Sequence, residues 1–192
     1  MVQTPLTLNL EKTNLSDEQF YQLCLVNREL QFERTSEGKL IIMSPTGGET
    51  GNRNLKLIQQ LANWADQDGT GIAFDSSSGF KLPNGAIRSP DAAWITLEKW
   101  HRLTLEERSK FPPICPDFVV ELRSASDALS PLQSKMIEYL ENGTRLGWLI
   151  NRQQQQVEIY RANQTKEVLD SPKSLSGEEI LFNFILNLAP IW

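Results

Sequence analysis

Two carboxylates and a lysine stand at positions where they could act together. Asp91 precedes the apolar stretch 92–95, and Glu121 comes 30 residues later inside the apolar run 117–122. Lys135 follows on a segment with helical periodicity. Two acids and a lysine on neighbouring core elements can hold a divalent metal and a water beside a phosphate. The pattern therefore points to metal-dependent hydrolysis of phosphodiester bonds.

Glu121 lies in an unusual place for an acid. Because side chains alternate across a strand, Glu121 shares a face with Val119 and Arg123. A carboxylate in the middle of an apolar strand is costly unless it is paired or bound to a metal. Two interpretations stay open at this point: a buried ion pair with Arg123 or another cation, and a functional acid.

Asp91 and Lys135 also have ordinary structural interpretations. An aspartate next to a proline is a common turn signal, in which the carboxylate binds the local backbone. Lys135 lies three residues after Leu132 and four before Tyr139, at the border of an apolar helical stripe. Such a lysine can pack its stem on the core while its ammonium group reaches solvent. Alternatively, it points inward and stabilises the charge that develops on a phosphate.

The elements that would position these residues follow from periodicity and turn signals. Helices are predicted over 17–27, 52–67, 105–110 and 131–141, and strands over 30–34, 39–43, 71–75, 79–82, 86–88, 91–95, 117–122, 145–151, 156–161 and 167–169. A capping box is predicted at 16–19, a loop over 44–51, and a docked apolar tail over 180–192. In the second helix the predicted apolar stripe is Leu55, Ile58, Leu61, Ala62 and Ala65. Strands interrupted by helices predict an α/β fold, in which a mixed sheet is flanked by helices on both faces, with an additional N-terminal helix and β-hairpins.

Length and composition restrict the classes of function. The 192 residues suit a single domain over 1–192, and 22% charged residues are ordinary for a globular protein. The net charge of −5 argues against general attraction to nucleic acid, although a local basic groove is compatible with it. His101 is the only histidine, which excludes a multi-histidine metal site and disfavours Ser-His-Asp chemistry. No signal-peptide pattern and no apolar run of about 20 residues is present, so we expect a cytoplasmic protein without a membrane span.

The order of the three candidate residues matches a known arrangement. An aspartate, a strand glutamate about 30 residues later and a lysine beyond it form the pattern of PD-(D/E)xK nucleases. Arg123 stands where the usual strand lysine would be, two residues after Glu121. A permanently charged arginine cannot act as a general base, but it can neutralise phosphate charge. We therefore assign the lysine role to Lys135 and a phosphate-binding role to Arg123.

Five motifs together resemble the Uma family of restriction-endonuclease-like proteins, also known as domain of unknown function 820. They are Met43-Ser44-Pro45-Thr46-Gly47-Gly48, Arg88-Ser89-Pro90-Asp91-Ala92, Pro116 to Ser124, Lys135-Met136 with Tyr139, and Gly147-Trp148-Leu149-Ile150. The resemblance implies a restriction-endonuclease-like core and a divalent metal, with Asp91, Glu121 and Lys135 in the active site. Glu33 matches an acidic position of the family and is a further polar candidate, with an exposed hairpin glutamate as the alternative interpretation.

These observations lead to a first hypothesis and two alternatives. The first is a DNA endonuclease that depends on Mg²⁺ or Mn²⁺, in which Asp91 and Glu121 bind the metal. The second is a catalytically silent module on a nuclease fold that binds nucleic acid or another protein. The third is a metal-dependent hydrolase of RNA or small phosphoesters. A homodimer is expected by analogy with nucleases, because two cuts on a duplex suit a two-fold pair.

Overall fold

The computed structural model describes residues 5–13, 15–43 and 45–192. Ser44, which begins the predicted loop and belongs to the first family motif, lies outside the described residues. The helices are α1 (Asp17–Val26), α2 (Gly48–Asp68), α3 (Leu97–His101), α4 (Leu105–Ser109) and α5 (Leu129–Glu141). The strands are β1 (Leu6–Asn9), β2 (Gln31–Arg34), β3 (Lys39–Met43), β4 (Gly71–Asp75), β5 (Phe80–Lys81), β6 (Ile87–Arg88), β7 (Ala92–Thr96), β8 (Phe118–Leu122), β9 (Leu146–Asn151), β10 (Gln156–Arg161), β11 (Glu167–Asp170), β12 (Ser174–Ser176) and β13 (Ile185–Asn187).

Six strands form the central sheet in the order β11-β10-β9-β8-β7-β4. Strands β8 and β9 are parallel, whereas the other neighbouring pairs are antiparallel. Helix α5 connects the two parallel strands, because a parallel pair needs a long crossover. Every residue of β8 and of β9 is buried, which explains their nearly continuous apolar sequence. The predicted mixed sheet is therefore confirmed.

The two faces of β8 belong to two different cores. On one face Val120 packs in the same cluster as Leu61 of α2. On the other face Val119 packs in the same cluster as Met136 and Tyr139 of α5. The sheet thus has helices on both faces, as predicted. Glu121, which alternates with Val120, points to the side of α5.

The apolar tail also docks on the central sheet, as the sequence predicts. Leu181, Phe184, Leu186, Leu188 and Ile191 are all buried in the core on the α2 face. Their strand β13 pairs with β12 to form a small separate hairpin sheet. The tail therefore completes one of the two layers that cover the central sheet.

A second sheet has the strand order β1-β3-β2-β6-β5. Its own small core contains Phe20 of α1, Phe32 of β2, Leu40 of β3 and Ile87 of β6. Helix α1 begins with the predicted capping box, in which the side chains of the N-cap serine and of the third helical residue each bind the other's backbone N–H. This sheet matters for the site because β2 and β6 carry two charged residues to the face of α5.

Helix α2 differs from its prediction at its start and in its buried stripe. It begins at Gly48, four residues before the predicted start at Asn52. The glycines in its first turn have low helix propensity and weaken the local helical signal. Packing of the rest of the helix on the core offsets this weakness. Leu61 and Ala65 of the predicted stripe are buried, but Leu55 is 57% exposed, and Leu57, which was not predicted in the stripe, is buried.

The other differences concern short elements and ends. Helix α5 begins at Leu129, so Pro131 is its third residue and not its first. A proline is still tolerated there because the first-turn N–H groups have no intrahelical partner. The sequence did not predict β1, β12 or β13, which have only three or four residues and are largely exposed. Among the described helices, none is both long and apolar enough to cross a membrane.

Candidate active site

Asp91 and Glu121 meet where β7 and β8 lie side by side. Asp91 immediately precedes β7, and β7 pairs antiparallel with β8 so that Ala92 lies opposite Val120. This register puts Asp91 beside the carboxyl end of β8, where the backbone N–H of Leu122 donates to Asp91 Oδ2 at 2.7 Å. The carboxylate of Asp91 is thus held by the neighbouring strand. The interpretation of Asp91 as a residue that binds only its own turn is wrong.

Lys135 reaches both sheets from α5. Its Nζ lies 2.8 Å from Glu121 Oε1 and 2.7 Å from Glu33 Oε1, and it donates to the carbonyl oxygen of Ser89 at 3.2 Å. An ammonium group has three N–H donors, and these three acceptors use all of them. Only 11% of the side chain is exposed, so the lysine points inward and does not send its charge to solvent.

Glu33 lies in the interior and joins the second sheet to the cluster. It is 3% exposed, so the interpretation as an exposed hairpin residue is wrong. The backbone N–H of Ser89 donates to Glu33 Oε1 at 2.9 Å, and Arg88 Nη1 donates to Oε2 at 3.1 Å. Arg88 Nε in turn donates to Glu138 Oε2 of α5 at 2.6 Å. Two cations, Arg88 and Lys135, therefore hold Glu33 on both sides.

The two candidate metal-binding acids have raised pKa values. Burial raises the pKa of Glu121 to about 8, and the negative charges of Asp91 and Glu33 add to this, while Lys135 acts in the opposite direction. Burial also raises the pKa of Asp91 to about 6, against the lowering effect of the Leu122 N–H bond. Burial is thus the main cause of both shifts, and the charges of neighbouring acids add to it.

The remaining charges of the cluster are stabilised. Burial alone raises the pKa of Glu33, but Lys135 and Arg88 outweigh it, so the pKa is lowered overall. Burial alone lowers the pKa of Lys135, but Glu121 and Glu33 outweigh it, so the pKa is raised overall. Lys135 therefore stays protonated near neutral pH and serves as a hydrogen-bond donor and a positive charge, not as a general base.

Arg123 does not pair with Glu121. Its Nε donates to the carbonyl oxygen of Asp127 at 3.0 Å, and its Nη1 donates to Asn151 Oδ1 at 3.1 Å. The cation beside Glu121 is Lys135 instead. Arg123 directly follows β8, so it lies at the carboxyl end of that strand, next to the cluster.

Three further residues lie at the site, although the sequence did not select them as site residues. The hydroxyl of Tyr139 donates to Glu121 Oε1 at 3.2 Å, although the sequence places this residue in an ordinary apolar stripe. Asn54 Nδ2 reaches Asp91 Oδ1 at 3.4 Å, and the charge of Asp127 contributes to the raised pKa of Asp91. The polar end of a tyrosine in a stripe is a usable signal. Nothing in the sequence brings the start of α2 to Asp91, because that contact depends on how α2 packs across the sheet.

The cluster offers oxygen ligands for a hard cation. Within the described ranges, no group of three or more His, Cys, Asp or Glu side chains is placed to hold a metal ion. The pair Asp91 and Glu121 still fits one: Leu122 occupies Oδ2 of Asp91, and the bonds from Lys135 and Tyr139 converge on Oε1 of Glu121. One oxygen of each carboxylate thus lacks a short hydrogen bond from the described residues. Mg²⁺ commonly takes one or two carboxylates and completes its shell with water.

A surface cavity of about 320 Å³ lies elsewhere, between α1, α4 and β5. Its two lysines already have acidic partners: Lys81 pairs with Asp17, and Lys110 pairs with Glu18 and Glu106. None of the clustered residues lines this cavity. We assign the candidate site from the chemistry of the acidic cluster and not from the shape of the surface.

Comparisons with known proteins identify the family of the chain. The model of the Uma2 family, described as "Putative restriction endonuclease", matches residues 17–189. A solved structure from Anabaena variabilis ATCC 29413, described as a "putative nuclease belonging to DUF820", is similar with a TM-score of 0.64 and 22% identity over 78% of this chain and 82% of that chain. This similarity shows the fold. No curated protein matches significantly. Because the family model spans most of the sequence, including the whole acidic cluster, the chain belongs to the Uma2 family.

Proposed function

We propose that this protein is a DNA endonuclease that depends on Mg²⁺ or Mn²⁺ and hydrolyses phosphodiester bonds at the cluster of Asp91, Glu121 and Lys135. One observation carries the proposal: two buried carboxylates with raised pKa values lie beside a buried, protonated lysine. Such a group of perturbed acids is typical of functional sites. Membership of a family of restriction endonucleases supports the same conclusion.

The two carboxylates would hold the cation through their oxygens. A bound divalent cation lowers the pKa of a water and polarises the phosphate. The bond from the Leu122 N–H fixes the orientation of Asp91 before any ligand arrives. Glu121 is anchored through one oxygen by Lys135 and Tyr139, so its other oxygen is the one available to a ligand.

Lys135 would stabilise the charge that develops on the phosphate. All three of its N–H groups are used, by Glu121, Glu33 and the Ser89 carbonyl oxygen. With Glu121 anchored through Oε1, Lys135 would act on a phosphate as a positive charge. Because its three partners hold it in place, this charge needs no rearrangement when the phosphate binds.

Positive charge at the edge of the sheet supports a nucleic-acid substrate. Arg123 follows β8 and Arg152 follows β9, and the carboxyl ends of parallel strands meet at the same edge. Burial lowers the pKa of Arg152, and the nearby charge of Arg53 on α2 lowers it further. We call these three residues the arginine edge. Among the described residues no acid forms an ion pair with Arg123 or Arg152, so both remain available to phosphates.

The test is cleavage of supercoiled and linear DNA with Mg²⁺, Mn²⁺ or a chelator. We expect metal-dependent cutting by the wild type and a loss of about 10³-fold in Asp91→Asn and Glu121→Gln, because a metal contributes several kcal/mol to the transition state. Glu158→Gln, at another buried acid on the same sheet, is the control and should cut at the wild-type rate.

Two results would contradict the proposal. A wild type that binds DNA but does not cut it with either metal would favour the silent binding module. If Asp91→Asn and Glu121→Gln cut as fast as the wild type, the assigned site would be wrong. RNA and a small phosphodiester in the same panel distinguish the remaining hydrolase alternative.

A further inference from the structure

The side-chain oxygen of Asn54 lacks a hydrogen-bond partner beside the candidate site. Its Oδ1 is buried and accepts no hydrogen bond, and its Nδ2 reaches Asp91 Oδ1 only at 3.4 Å. A buried amide oxygen without a donor is unfavourable, and native proteins rarely keep one without a reason. Within the part of the chain that the structure describes, four other buried side-chain atoms lack a partner, and all four are N–H donors. Asn54 Oδ1 is the one acceptor of this set.

Helix α2 holds this amide in place. Asn54 lies three residues before Leu57 and seven before Leu61, and both leucines are buried in the core below the central sheet. Residues at this spacing share one face of a helix. Asn54 therefore lies on the same face of α2 as the two leucines, and the residue is partly buried.

The chemistry of the unpartnered oxygen, beside Asp91, matches what the pair of acids lacks. Asp91 and Glu121 supply two carboxylates, and no third acidic, cysteine or histidine side chain within the described residues completes a metal-binding group. Amide carbonyl oxygens are accepted ligands of hard cations. A neutral ligand also adds no charge to a place where the charge of Glu33 already raises the pKa values of Asp91 and Glu121.

We propose that Asn54 Oδ1 is a third oxygen ligand of the divalent cation that Asp91 and Glu121 hold. The proposal rests on the metal dependence in the proposed function and adds a residue to its site. It accounts for the unsatisfied acceptor and for the missing third ligand with a single contact.

The experiment measures Mn²⁺ binding by calorimetry without nucleic acid. Asn54→Leu removes the oxygen at a similar volume, and Asn63→Leu changes an exposed asparagine of the same helix as the matched control. We expect Asn54→Leu to weaken Mn²⁺ binding by about 10- to 100-fold, Asn63→Leu to leave the affinity within about twofold, and Asp91→Asn to abolish binding.

A second readout separates metal binding from folding. Without metal, the melting temperature of Asn54→Leu should equal or exceed that of the wild type, since the unsatisfied oxygen is gone. With Mn²⁺, the rise in melting temperature should be smaller than in the wild type. Asn54→Asp keeps an oxygen at this place and should bind Mn²⁺ at least as tightly as the wild type.

The outcomes distinguish this inference from the proposed function. If Asn54→Leu binds Mn²⁺ as tightly as the wild type while Asp91→Asn does not bind, the role of Asn54 is overturned and the metal site stands. The same holds if Asn54→Asp binds as weakly as Asn54→Leu. A wild type that binds no Mn²⁺ would overturn both.

Discussion

Glu121 and Glu158 are two buried acids on the same face of the central sheet with opposite pKa shifts. In the register of the strands Glu121 lies opposite Leu149, and Leu149 lies opposite Glu158. The exposed fractions are similar, at 4% and 6%. Nevertheless the pKa of Glu121 is raised to about 8, whereas that of Glu158 is lowered. The exposed fraction alone therefore does not explain why the pKa values of the two acids shift in opposite directions.

The difference lies in the balance between desolvation, which is the largest cause at Glu121, and the hydrogen bonds and cations that each acid receives. Burial raises the pKa of Glu158, but bonds from Lys166, Tyr160 and Gln133 outweigh it, and the Lys166 Nζ–Glu158 Oε2 distance is 2.8 Å. Glu158 has its cation to itself. Glu121 shares Lys135 with Glu33 and also lies near Asp91. The excess of negative charge around Glu121 is what a divalent cation would neutralise.

The largest expected effect comes from removing the shared cation. Lys135→Met leaves the buried Glu121 without its cation, while Glu33 keeps Arg88, and this loss costs about 3–5 kcal/mol of unfolding free energy near pH 8. Lys166→Met should cost about 1 kcal/mol or less, because Lys166 is 39% exposed and the pair is screened by solvent. Urea denaturation of both variants measures the difference.

The pH dependence of Lys135→Met provides its control. Without the lysine, Glu121 takes up a proton more readily in the folded state than in the unfolded state, so the variant should lose stability as pH rises from about 5 to 8. Equal losses in Lys135→Met and Lys166→Met at every pH would mean that the acidic cluster is no more dependent on its cation than Glu158.

The sequence predicts which residue types lie together in the acidic cluster, but it does not predict which acids share a cation. Strand alternation and residue order were enough to select Asp91, Glu121 and Lys135, and the structure brings these three side chains together. The sequence could not show that Glu121 shares its cation while Glu158 does not. That distinction arises because β2, in another sheet, brings Glu33 to α5, and such a contact between distant segments leaves no local pattern.

The fold shows the same limit at α2. The existence of this helix and its packing on the central sheet follow from its apolar residues. The start of the helix was displaced, and at the N-terminal end of the stripe Leu57 is buried in place of Leu55, because both leucines fit stripes that include Leu61. Asn54 lies at helical spacing from Leu61 and Ala65, but its contact with Asp91 depends on how α2 packs across the sheet, and no local pattern shows that packing.

A smaller effect is expected from neutralising each of the two compared acids. Because the folded state raises the pKa of Glu121 from 4.5 to about 8, the stability of the wild type should fall as pH rises through this range. Glu121→Gln removes this loss and keeps an acceptor for Lys135, so it should be about 2 kcal/mol more stable than the wild type near pH 8 without metal. Denaturation midpoints across the pH range test this prediction.

Glu158→Gln should behave in the opposite way. The pKa of Glu158 is lowered in the folded state, so its stabilisation is present above the ordinary pKa of 4.5 and is lost as pH falls through the folded value. We expect Glu158→Gln to lose about 1–2 kcal/mol near neutral pH, because hydrogen bonds to a charged group are replaced by weaker ones, and to approach the wild type in acid. If the stability of both variants relative to the wild type changed with pH in the same direction, the two acids would have the same environment and the prediction would be wrong.

The smallest effect concerns the two ends of a single strand. Arg152 follows β9 at the carboxyl end, next to the cluster, and Arg145 precedes β9 at the other end. If DNA lies across the arginine edge, Arg152→Gln should weaken binding to a short duplex by about 1 kcal/mol and lower the slope of log affinity against log salt by about 1. Arg145→Gln should change neither, although it removes the same charge.

Binding measured with a chelator, between about 50 and 200 mM salt, avoids cleavage during the measurement. Since both variants alter the net charge equally, equal changes in slope would mean that DNA responds to the overall charge and that the edge beside Asp91 and Glu121 does not face the duplex.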